Sequence, residues 1–145
     1  MLQGARVLAV LGKIDESQAL AAETFELLKE HVEQAVMLAF FNPVARQLGL
    51  QQEVRQLIEK ASEGPWKDVT LAGAGGDFAR AADLFAGFGS PTLEAEARLC
   101  AAEELIEAGH RAAGEAELQR TLAFYRKVGA TRYIQQGEAL LAASA

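Results

Sequence analysis

The chain has 145 residues, half of them hydrophobic, and a formal net charge of −6. Its length fits one domain or a short run of repeats, and its apolar content excludes a disordered chain. The acidic balance disfavours a nucleic-acid partner, because phosphate binding requires clustered Lys and Arg. A single cysteine, Cys100, excludes an internal disulfide and therefore a secreted disulfide scaffold.

Membrane insertion and export are also disfavoured by the sequence. No stretch approaches 18 uninterrupted apolar residues, which is the length that a membrane-spanning helix needs. The N-terminal apolar run lacks the cationic start of a signal peptide. We therefore predict a cytoplasmic protein without a membrane partner.

Glycine and proline divide the N-terminal half into segments whose apolar residues recur at helical spacing. Asp15 is the predicted cap of the second helix, with Gln18 three residues later as its capping-box partner. Pro43 lies inside the third helix and predicts a kink or a split near Phe41. The predicted helices of this half are 2–11, 15–32, 34–48 and 51–61.

The C-terminal half carries clearer helix boundaries. Pro65 and Pro91 suit the first turn of a helix, where a missing N–H costs nothing. Asp77, Ser90 and Thr131 are predicted caps. The sequence contains no alternating run of β-branched residues that would indicate a strand. The predicted helices of this half are 66–74, 78–88, 92–108, 115–128 and 131–143.

Four predicted corners between helices align on their glycines, which indicates an internal repeat. The glycines are Gly12, Gly49, Gly76 and Gly109, separated by 37, 27 and 33 residues. The mean spacing is close to the 34 residues of a tetratricopeptide repeat.

The third unit matches that repeat best. Gly76, Phe78, Ala81 and Phe85 reproduce its G-x-[YF]-x-x-A-x-x-x-[FY] core. We predict one all-α domain over 1–145, a tetratricopeptide-like superhelix of about four antiparallel helix pairs and a closing helix. A non-repeating helical bundle is the alternative. The predicted units are 2–32, 34–61, 65–88 and 91–128, with the closing helix at 131–143.

Longer motifs in the C-terminal half give a more specific resemblance. They are Gly-Pro-Trp at 64–66, Gly-Asp-Phe-x-Arg-Ala-Ala at 76–82, Glu-Ala-x-Ala-Arg-Leu at 94–99 and Leu-Ala-Phe-Tyr-Arg-Lys-Val-Gly-Ala-Thr-Arg-Tyr-Ile at 122–134. Residues 64–145 resemble the C-terminal tetratricopeptide tail of large bacterial regulators. These regulators include AAA-type ATPases fused to class III adenylate or guanylate cyclases, and LuxR-type ATP-dependent transcriptional regulators. The resemblance implies a regulatory helical-repeat module that binds a partner beside catalytic domains.

The residues that could suggest catalysis or metal binding fit structural roles better. The glycine run at 72–77 lacks the strand and the third glycine of a dinucleotide loop, which favours a turn between helices. His31 and His110 lack ligands at metal spacing, and Cys100 lies on an apolar helix stripe. The sequence therefore predicts neither an enzyme nor a cofactor or metal site.

A row of carboxylates in the second helix has two interpretations. Glu23, Glu26, Glu30 and Glu33 recur every three or four residues, as on an exposed helix face. Such a row is either a solvated surface or a contact for a basic partner.

A protein or peptide partner is the most concrete functional prediction. In tetratricopeptide arrays, the first helix of each pair lines the concave binding surface. The first helices here are predicted at 34–48, 66–74 and 92–108. The partner could be an ATPase or cyclase domain of the same system, and a homodimer is the alternative. The candidate partner-binding residues are Asn42, Arg46, Lys67 and Arg98.

Overall fold

The computed structural model describes residues 13–29 and 35–143, together with Gly4 and Leu8. Every regular element in these ranges is an α-helix, which confirms the all-α prediction. The predicted helix 2–11 and residues 30–34, which include His31, lie outside the described residues apart from Gly4 and Leu8. The helices are α1 (Ile14–Lys29), α2 (Ala35–Leu48), α3 (Gln51–Ile58), α4 (Pro65–Ala74), α5 (Phe78–Gly87), α6 (Pro91–Glu107), α7 (Arg111–Val128) and α8 (Thr131–Ala143).

The chain divides into two compact units, Met1–Gly75 and Gly76–Ala145. The described helices of unit 1 are α1 to α4, and those of unit 2 are α5 to α8. The boundary falls inside the third predicted pair, 65–88, and separates its two helices. The single domain predicted over 1–145 stays a prediction.

Four helix connections share the same hydrogen-bonded turn. At the end of α5, Gly89 has φ 68°, its N–H donates to Ala86 O, and the Ser90 N–H donates to Phe85 O. A left-handed residue with this bond pair is a Schellman motif, in which glycine avoids the steric cost of a side chain. The same two bonds recur around Gly49, Gly109 and Gly129.

Two predicted helix starts are wrong. α1 begins at Ile14, so Asp15 lies within its first turn, where a carboxylate interacts favourably with the helix dipole. α7 begins at Arg111 rather than at 115 and includes the buried Gly114. A Cβ at Gly114 would lie 3.0 Å from Ala102 O, so this glycine permits the close approach of α6 and α7.

The other predicted caps have mixed outcomes. Asp77 is confirmed as a cap, because its carboxylate accepts the N–H of Arg80 at 3.0 Å. Ser90 precedes α6, yet its side chain makes no capping bond with any residue that the structure describes. Thr131 is the first residue of α8 rather than the residue before it, and its hydroxyl donates to Gly129 O, outside the helix.

Pro43 does not split α2, which is continuous from Ala35 to Leu48. Residues on both sides of the proline, Phe41 and Val44, are buried in the same core. This packing holds the helix together where the proline removes one backbone hydrogen bond.

Unit 1 is organised around stacked aromatic rings. Phe25 of α1 stacks on Phe41 of α2 with centroids 5.5 Å apart. The adjacent Phe40 packs against Trp66 instead, with the two ring centroids 6.2 Å apart. Neighbouring residues on a helix point in different directions, so the two phenylalanines pack against different aromatic rings. The apolar pattern of α1 also predicts a buried Leu27, and this is wrong, because that side chain is 45% exposed near the end of the helix.

Unit 2 has its own core between α6, α7 and α8. Leu118, Leu122 and Tyr125 of α7 are buried there, and Tyr125 stacks on Tyr133 of α8 at 4.8 Å. The apolar spacing of this helix also predicts a buried Val128, but that residue is the last of α7 and is exposed.

Candidate functional site

Arg98 is buried at the centre of an ion-pair cluster in unit 2. Its three guanidinium nitrogens each donate to a different carboxylate: Nε to Glu94 at 2.8 Å, Nη1 to Glu117 at 2.8 Å and Nη2 to Asp83 at 3.1 Å. These carboxylates lie on α6, α7 and α5, so one side chain joins three helices. Burial lowers the pKa of Arg98, but the hydrogen bonds that its guanidinium donates to the three carboxylates outweigh burial and raise this pKa.

Lys67 is the buried cation of unit 1. Its Nζ donates to Glu59 O at 3.2 Å, to Ala61 O at 3.1 Å and to the Glu63 carboxylate at 2.7 Å. An ammonium group has three donors, so all three are used. Because Glu59 is the C-cap of α3, Lys67 ties the start of α4 to the end of α3.

Asn42 joins α2 to α4. Its Nδ2 donates to Thr70 O at 3.1 Å, and its Oδ1 has no hydrogen-bond partner among the described residues. Gly73 lies directly against it, because a Cβ there would be 2.5 Å from Asn42 Nδ2. The amide is therefore packed between two helices.

The four candidate partner-binding residues differ in accessibility. Asn42, Lys67 and Arg98 are at most 9% exposed and bonded within their own units. Arg46 lies in the last turn of α2 and is half-buried. A role for these four residues in partner binding stays a prediction, and the bonds of Asn42, Lys67 and Arg98 connect helices.

A cavity of about 420 Å³ lies in unit 1 between the first turn of α2 and the start of α4. Its volume falls within the range of small-ligand and side-chain pockets. Trp66 contributes an aromatic wall, and Lys67 is held in place by its three acceptors. The lining residues are Ala35, Val36, Ser62, Glu63, Gly64, Pro65, Trp66 and Lys67.

Polar contacts between alternate helices are a feature that sequence reasoning missed. In unit 1, the Thr70 hydroxyl on α4 donates to Trp66 O of its own helix at 2.7 Å, and its oxygen also lies 3.3 Å from Ala35 O on α2, 35 residues earlier. In unit 2, Gln136 Nε2 on α8 donates to the Glu103 carboxylate on α6 at 3.2 Å, across 33 residues. Both separations are close to one repeat. A search for polar pairs at this spacing could have found Gln136 and Glu103, but not the unit 1 contact, whose acceptor is the backbone carbonyl of an alanine.

The side chains considered for chemistry have ordinary surroundings. Cys100 is buried, as its position on an apolar stripe predicts. His110 is exposed at the start of α7, and Glu23 and Glu26 lie on an exposed face of α1. Glu30 and Glu33 lie outside the described residues. Over residues 13–29 and 35–143, no three His, Cys, Asp or Glu side chains are grouped to hold a metal.

Comparison with known proteins gave no match to any family model, curated protein or solved structure. None of the helices in the described ranges combines the length and the apolar character that a membrane crossing requires.

Proposed function

We propose that this chain is a non-catalytic helical-repeat module that binds a protein or peptide partner. The approach of alternate helices carries the proposal: the Thr70 hydroxyl oxygen lies 3.3 Å from Ala35 O in unit 1, and Gln136 donates to the Glu103 carboxylate in unit 2. In a tetratricopeptide array, the first helices of successive pairs lie side by side and line the inner surface, one repeat of about 34 residues apart. Pairs separated by 35 and 33 residues fit that arrangement within each unit.

Each unit has its own proposed partner surface, formed by exposed groups on these alternate helices and their turns. In unit 1 it is the cavity beside Trp66, with the exposed Ser62 at its edge. In unit 2 it is the face that carries Glu103 and Gln136. Asn42, Lys67 and Arg98 would support these surfaces from within rather than contact the partner, because their polar groups are bonded to other helices.

We further propose that the module belongs to a cytoplasmic bacterial regulator and acts on an ATPase or cyclase domain of the same system. This part rests on the motifs between residues 64 and 145. An antibody against the chain, used on a lysate of the source cells, tests it by size. A band several times larger than 15.5 kDa, or co-purification with such a domain, supports the regulator. A 15.5 kDa band without such a domain contradicts it.

Site-specific photo-crosslinking in the source cells tests the partner surfaces. A photoreactive amino acid replaces Gln136 or Ser62 on the proposed surfaces. The matched controls replace Gln119 on α7 or Gln56 on α3, which are also exposed but lie on the second helices of the predicted pairs.

The proposal predicts one shared crosslinked protein from Gln136 and Ser62 and little or none from Gln119 and Gln56. Equal crosslinking from all four positions, or none from any, would overturn the proposed surfaces. Crosslinking of the chain to a second copy of itself would replace the external partner with a homodimer.

A further inference from the structure

We draw no further inference here: the strongest candidate, the cavity between the first turn of α2 and the start of α4, belongs to the surface already proposed, and nothing in the structure shows what covers its apolar wall.

Discussion

The two units each bury a cation, but they bond it to different groups. In unit 1, Lys67 donates to two backbone carbonyls and one carboxylate. In unit 2, Arg98 donates to three carboxylates on three helices. The partner carboxylate of Lys67, on Glu63, has a side chain that is 86% exposed, whereas Glu117 beside Arg98 is 15% exposed.

This difference follows the shape of the two cationic groups. An ammonium group is a compact point donor that fits the clustered carbonyls at a helix end. A guanidinium group is a planar fork whose nitrogens point in different directions, so it can reach several helices at once. A buried Lys thus closes a local turn, and a buried Arg joins distant elements.

The largest expected effect comes from Gly73→Ala in unit 1. The new Cβ would meet three atoms of the short, buried Asn42 side chain, which has little room to move. We expect destabilisation of about 3 kcal/mol from this overpacking. Hydrogen exchange in α2 and α4 would measure it as lost protection.

Two other glycines control for this effect. At Gly137 in unit 2, a Cβ would meet the flexible end of Leu122 at 2.7 Å, so Gly137→Ala should cost only about 1 kcal/mol. At Gly87 a Cβ would meet nothing within 4 Å, so Gly87→Ala should leave stability unchanged or raised. Equal losses at Gly73 and Gly87 would contradict the close packing of Asn42.

Arg98→Met is expected to have the next largest effect. It removes the cation and leaves Glu94 and Glu117 facing each other without a counter-charge in a partly buried position. We expect a loss of about 2 kcal/mol, below that of a fully buried pair because solvent reaches Asp83 and Glu94. Urea unfolding monitored in unit 2 measures it.

Arg120→Met is the matched control for Arg98. Arg120 also pairs with Glu117, but its side chain is 63% exposed, so removing it should change stability by less than about 0.5 kcal/mol. Arg98→Lys should recover only part of the loss, because one ammonium group cannot reach all three carboxylates. Full recovery by lysine would show that the fork geometry is unimportant.

Lys67→Met is expected to lower the free energy of unfolding by a smaller amount, about 1 to 2 kcal/mol. Two backbone carbonyls lose a charged donor, whereas the Glu63 carboxylate is already exposed to solvent. Hydrogen exchange at the end of α3 should report it. The exposed Lys60, changed in the same way, serves as the control and should have almost no effect. Comparable losses from both lysines would remove Lys67 from its proposed structural role.

The smallest expected difference between the units is the effect of salt on the destabilisation caused by Arg98→Met and by Lys67→Met. Raising the salt from millimolar to molar should reduce the penalty of Arg98→Met by about 0.5 kcal/mol, because the exposed Asp83 pair is screened. The Lys67→Met penalty should change less, since its two carbonyl acceptors carry no net charge. The unfolding free energies of both variants at the two salt concentrations decide this.

Local chemistry made most helix boundaries predictable from the sequence. Glycines at 49, 89, 109 and 129 have the positive φ that ends a helix, and Pro65 and Pro91 begin helices as predicted. The start of α7 is predicted at 115 rather than at Arg111, which leaves Gly114 outside the predicted helix. A glycine is needed at this position because Ala102 O on α6 approaches it closely. The spacing of apolar residues within one helix gives no information about that approach.

The candidate site was less predictable than the fold. Arg98 and Lys67 are predicted on a partner surface because they are polar residues on the first helices of the predicted pairs. Their burial depends on acceptors contributed by other segments: for Arg98, Glu117 lies 19 residues away and Asp83 lies 15 residues away. Only the packing of helices brings these groups together, so a single sequence cannot reveal them.

The most direct test of the repeat arrangement is the proximity of α6 and α8. In a Cys100→Ala background, which removes the only cysteine, Glu103→Cys and Gln136→Cys are combined and treated with a short bifunctional thiol reagent. The control pairs Gln136→Cys with Thr92→Cys, which lies about 16 Å further along α6. The account predicts rapid intramolecular crosslinking, read by mass spectrometry, for the first pair only. Equal crosslinking of both pairs, or failure of the first, would contradict the alternate-helix contact on which the proposed function rests.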